Sequence, residues 1–148
     1  RVSQKNISEL ILIIDGAGSM FPIGEFEEKN GPLWKLKINN FNPAEDLFST
    51  DNINLLLNRS HSLFKQLKER KTALSKGLMS EIVSQAMSLI IDKVIKETED
   101  DDIVSDLADG TILSIVNYWI SVFEVDTSDS VRISNSLKLA LEQILSEE

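Results

Sequence analysis

The sequence predicts an α+β fold: a small N-terminal antiparallel sheet of about three strands, followed by a bundle of four main helices. Three observations predict it. Strand-like apolar runs and an Asn30-Gly31 turn fall within residues 1–41. Apolar doublets at four-residue intervals dominate residues 42–148. No stretch rich in Gly, Pro or Ser separates the two parts, so residues 1–148 read as a single domain.

The first candidate strand is LILII at residues 10–14. After a GAGSM break, residues 21–29 and 33–39 flank Asn30-Gly31-Pro32, which is a hairpin signal. A three-residue loop would set Glu27 opposite Lys35, Glu25 opposite Lys37 and Phe26 opposite Leu36. Opposite charges facing across strands stabilise by a few tenths of a kcal/mol up to ~1. Trp34, Leu36 and Ile38 then share one face of their strand, and Lys35 and Lys37 the other.

Asn42-Pro43-Ala44-Glu45 has the chemistry of a helix start: a capping Asn, then Pro at the first helical position. That helix is short, because Ser49-Thr50-Asp51 offers a second cap. Ile53, Leu56, Leu57, Leu63, Phe64 and Leu67 then follow helical spacing, with Lys68, Arg70 and Lys71 in the last turn. A break is expected at Lys71-Thr72. The clearest pattern follows, with doublets at Leu78/Met79, Ile82/Val83, Ala86/Met87, Ile90/Ile91 and Val94/Ile95. An acidic run from Glu97 to Asp102 leads into further doublets that end at Phe123, with a kink or restart at Asp109-Gly110. Asp126-Thr127-Ser128-Asp129 caps a final helix carrying Val131, Leu137, Ala140, Leu141, Ile144 and Leu145. The two long helices joined by the acidic turn are expected to pack as a hairpin.

Composition bounds the function. The net charge of −9 argues against a nucleic-acid surface as the main role, since that affinity comes largely from Lys and Arg neutralising phosphates. With no cysteine there is no disulfide, thiolate zinc site or cysteine nucleophile. His61 is the single histidine, so a multi-histidine metal site within the chain is excluded. No apolar run approaches the ~18–20 residues that span a bilayer, so no membrane insertion is expected. These features fit a cytoplasmic protein, and a chain that begins at Arg1 rather than Met fits a piece of a longer one. Two Asn-x-Ser sequons occur, at Asn6 and Asn58.

Candidate chemistry is sparse. Asp15, Ala17 and Ser19 stand where a von Willebrand factor A domain has Asp-x-Ser-x-Ser, and the stretch resembles that metal loop over about ten residues. Ala17 supplies no ligand, and the helical remainder does not suit that family's alternating fold. Gly16-Ala17-Gly18 leads into Phe21-Pro22 rather than the helix a phosphate loop needs. Asp15 with Glu27-Glu28-Lys29 resembles the skeleton of PD-(D/E)xK nucleases, in which acidic groups hold magnesium and a lysine supports the attacking water. The charged Glu28 departs from that pattern, and Lys29 falls at a turn. The acidic run with Asp106 and Asp109 lacks the spacing of a calcium loop. Lys65, Lys68, Arg70, Lys71 and Lys76 form a basic cluster without interleaved aromatics.

The leading expectation is a non-catalytic protein–protein interaction, adaptor or regulatory domain, with a protein partner or a second copy and no cofactor. Trp34, Trp119, Lys65, Lys68, Arg70 and Lys71 are the interface candidates. The alternative is a magnesium- or manganese-dependent phosphodiesterase or nuclease-like domain using Asp15, Glu25 and Glu27.

Overall fold

A computed structural model describes residues 22–39, 42–69, 71–98 and 110–146. The candidate strand at 10–14, the GAGSM break, Asp15, Arg70, the Asn6 sequon and the acidic run beyond Thr98 lie outside the described residues. The element order is β1 (Ile23–Phe26), β2 (Trp34–Ile38), β3 (Ile53–Asn58), α1 (Phe64–Glu69), α2 (Ala73–Glu97), α3 (Ile112–Val122) and α4 (Ser130–Ser146). This is the expected α+β architecture of a small sheet followed by four helices.

The sheet is mixed rather than antiparallel. Its order is β1-β3-β2, with β3 parallel to β1 and antiparallel to β2. Two expectations are corrected. The segment at 53–58 is the central strand and not part of a helix. Its sequence, INLLLN, satisfies both periods: Ile53, Leu56 and Leu57 at helical spacing, and Ile53, Leu55 and Leu57 in alternation. The alternating set wins, and all three of its members are buried. Asn54 and Asn58, weak helix formers, fit the other face.

The second correction concerns the hairpin. β1 and β2 are not neighbours, because β3 lies between them. Glu27 therefore does not face Lys35, nor Glu25 Lys37. Lys35 instead spans β3 on the outer face and sits 4.3 Å from the centre of the Phe26 ring. The turn signal itself is real. Gly31 N–H donates to the Glu28 carbonyl at 3.0 Å, and Asn30 takes φ 63°, which a type II turn requires at its third residue.

The β1–β2 connection crosses the end of β3 and is held there by Asn58, which is fully buried. Its Nδ2 donates to the carbonyls of Glu28 and Pro32, both at 2.9 Å. Its Oδ1 accepts from the backbone N–H groups of Glu28 at 3.1 Å and Ser60 at 3.0 Å. Every hydrogen-bonding position of the amide is used, as burial demands. The sequon at Asn58 is thus closed to glycosylation in the folded protein.

Residues 42–52 form turns rather than the expected short helix. Asn42 Oδ1 accepts from Ala44 N–H at 3.0 Å, so the capping chemistry is present, but it starts one turn only. The carbonyls of Pro43 and Asp46 accept from Leu113 and Ile112 at 2.7 and 2.9 Å. Those two donors lack partners inside α3, and Thr111 Oγ1 serves the next one, Ser114 N–H, at 3.2 Å. The loop's carbonyls are spent on the start of α3, whose capping residue Thr111 directly follows Gly110.

α2 begins at the expected break. Thr72 and Ser75 form a reciprocal capping box with bonds of 3.0 and 3.1 Å. The doublets then face inward: Met79, Ile82, Val83, Ala86, Met87, Ile90, Ile91 and Val94 are all buried. α2 packs more extensively along α4 than along α3, and residues 99–109, which carry the acidic turn of the expected helical hairpin, lie outside the described residues. Ile133, Leu137 and Leu141 supply the buried stripe of α4, while Val131 is exposed. The pair is pinned by Glu81–Lys138 at 3.0 Å and by Ser130 Oγ donating to Asp92 at 2.9 Å. Trp119 is at the centre of the core, meeting Phe48 edge-on at 5.4 Å.

Two predictions follow from this packing. Asn58→Ala should destabilise the protein by about 3 kcal/mol, because it orphans several enclosed backbone groups together. Chemical denaturation of variant and parent checks this, with Asn58→Asp as the variant that keeps an acceptor but loses both donors. The second concerns pH. Glu81 is held below the usual carboxylate range by the Gln85 hydrogen bond and then by Lys138. Asp92 is lowered by the Lys96 hydrogen bond, with Ser130 adding to it. A lowered folded pKa gives stability that is complete above the unfolded value and is lost as pH falls through the folded one. The melting temperature should therefore fall as the solution is acidified below the ordinary carboxylate range, and Glu81→Gln with Asp92→Asn should flatten that slope.

Candidate protein-docking surface

The expected site residues converge only in part, around the short helix α1. β3 ends at Asn58, and the chain turns through residues 59–63. His61 N–H donates to the Asn58 carbonyl at 3.2 Å, and His61 Nδ1 accepts from Leu63 N–H at 3.1 Å. The one histidine thus shapes a turn. α1 is fastened by Leu67, which is buried in the core, while Lys65 and Lys68 are exposed.

Glu25 and Glu27, the described members of the metal alternative, are paired with cations. Lys68 Nζ lies 3.3 Å from Glu25, and Arg59 reaches Glu27 at 3.3 Å and Glu25 at 3.9 Å. Asp15 is outside the described residues. Among the described residues no group of three His, Asp or Glu side chains is gathered to hold a metal ion. The pairs are solvent-exposed and add little stability, and Lys68–Glu25 is the one among them that joins α1 to β1.

The interface candidates divide. Trp34 is half-buried and leans on the core. Trp119 is corrected: at 0% exposure it has no surface to offer, since the same doublet periodicity that placed it on the helix places it inside. Lys71 is exposed beside the capping residue of α2, and Lys68 also lies 5.6 Å over the Phe64 ring.

Two grooves flank α1. One, of about 500 Å³, lies between α1 and the first turns of α2 and is lined by Leu63, Leu74 and Leu78 with Gln66, Glu69 and Lys71 at its edges. Leu74 is 84% exposed, the most open large apolar side chain described. The other, of about 510 Å³, runs beneath β1, with Ile23 and Glu25 on one side, Lys68 on the other and Leu57, Leu67 and Met79 as its floor. The sequence did carry a signal for Leu74. It stands one turn before the doublet Leu78/Met79, so the apolar stripe runs past the point where the core ends.

Both grooves offer apolar walls with a charged edge. Compared with protein-family models, with characterised proteins and with solved structures, the chain matches none.

Proposed function

We propose that this protein is a non-catalytic interaction domain that docks another protein through the surface around α1. The observation that carries the reading is the groove centred on Leu74, where three leucines line an open cleft at the start of α2. An exposed leucine gains about 1.5–3 kcal/mol when it is fully covered, so a partner with apolar side chains has a ready driving force. The preferred occupant is a different protein rather than a second copy, because two chains at −9 repel each other on approach. Lys65 and Lys71, both exposed, outnumber Glu69 on this surface, and that surplus favours an acidic edge on the partner. Among the described residues no helix is long and apolar enough to cross a membrane, so a lipid-spanning role has no support from them.

Leu74→Lys tests the reading directly. The side chain is exposed, so the melting temperature should stay within about 1 °C of the parent, in line with the small effect of most surface substitutions. Proximity labelling in cells should then show a defined set of neighbours for the parent and their loss for the variant. Identical neighbours for both, or none for either, would remove the proposal. A manganese and magnesium titration separates it from the metal-dependent alternative: the interaction reading expects no rise in melting temperature, whereas a bound ion would raise it.

A further inference from the structure

We infer that His61 is a pH-sensitive latch on the entry to α1, closed while its ring is neutral and released when the ring is protonated. Three bonds build that entry. His61 N–H donates to the Asn58 carbonyl at 3.2 Å, Phe64 N–H donates to the His61 carbonyl at 3.0 Å, and Leu63 N–H donates to His61 Nδ1 at 3.1 Å. Only the third depends on the side chain. A ring nitrogen that accepts carries no proton, so the closed turn holds the neutral ring with its hydrogen on Nε2. Protonation puts a hydrogen on Nδ1 as well. Two N–H groups then face each other, and the bond gives way to repulsion.

Leu63 gives the loss its reach. Its carbonyl accepts from Leu67 N–H at 3.0 Å and so opens the first turn of α1, and its side chain lines the Leu74 groove. α1 has six residues, too few to hold a helix without anchors. Downstream it is anchored by buried Leu67 and by Lys68–Glu25. Those anchors do not involve the ring, so protonation loosens the entry and leaves the fold standing. Charged groups reach the turn from each side: Arg59 and Lys65 along its own chain, Glu27 and Glu28 from the β1–β2 connection, and Lys71 from across the groove. Arg59 is engaged by Glu25 and Glu27, and among the described residues no carboxylate pairs with the ring. A protonated His61 thus has no carboxylate already in place to hold the turn closed. The chain has one histidine and no cysteine, so this ring is the side chain suited to respond between about pH 8 and about pH 5. That the latch governs docking rests on the Leu74 reading; the latch itself does not.

The test uses the full isotope-labelled chain without a partner, so it can fail separately from the docking reading. In NMR spectra the ring nitrogens of neutral His61 should show the hydrogen on Nε2. Protection of the Leu63 amide from solvent exchange, taken relative to an unstructured chain at the same pH, should fall roughly threefold or more between about pH 8 and about pH 5. His61→Asn offers a carboxamide oxygen that accepts from the N–H two residues on and does not titrate, so it should keep the protection at both pH values. His61→Ala should lack it at both. A neutral ring with its hydrogen on Nδ1 would overturn the inference. So would Leu63 protection that is the same at both pH values in the parent, or a fall of equal size in His61→Asn, which would place the cause in the carboxylates.

Discussion

The sheet depends on one buried amide. A connection that leaves β1, passes the end of β3 and enters β2 on the far side cannot use ladder bonds of its own. Its carbonyls and N–H groups would be stranded at the rim of the core. Asn58 answers three of those needs, and that of Ser60 N–H just beyond β3, with one side chain, and stands in for the backbone that a neighbouring strand would have provided. Only a primary amide offers two donors and a doubly accepting oxygen at that reach. Aspartate would lack the donors, and leucine, the volume match, would offer neither. Once the crossing is fixed, β1 and β2 lie on opposite sides of β3. Arg59, the next residue, then brings its guanidinium to Glu25 and Glu27.

What the sequence makes legible follows from how far each signal reaches. The face of α2 is set by side chains within one helix, and the doublets from Leu78 to Val94 name nearly every residue it buries. Caps at Thr72 and Asp129 are local too, and they stand where capping chemistry places them. Pairing of strands is not local. Charges at Glu25, Glu27, Lys35 and Lys37 suit a hairpin in isolation, yet β3 offers each strand a more apolar neighbour through Leu55 and Leu57. The fate of residues 42–48 likewise rests on α3, more than sixty residues away, which takes the carbonyls a helix would have kept.

The same division runs through the docking surface. Lys65, Lys68 and Lys71 are visible as a basic cluster, and they do surround α1. Trp119 shows the opposite case. A large aromatic is as suited to the middle of a core as to an interface, and only the packing of Phe48 against it decides. Leu74 gains its interest from being uncovered among the described residues, which no periodicity states.

The central position of β3 also bears on the order in which the molecule can be assembled. A ribosome releases β1 and β2 before β3, and those two strands share no ladder in the finished sheet. Whatever they do in the interval, including the charge-matched pairing that their sequences suit, must give way so that β3 can enter between them. The sheet therefore closes from its middle and only after residue 58 has emerged, together with the amide that locks the crossing. Synthesis of the N-terminal part alone would deliver two edges without the strand that makes them a sheet.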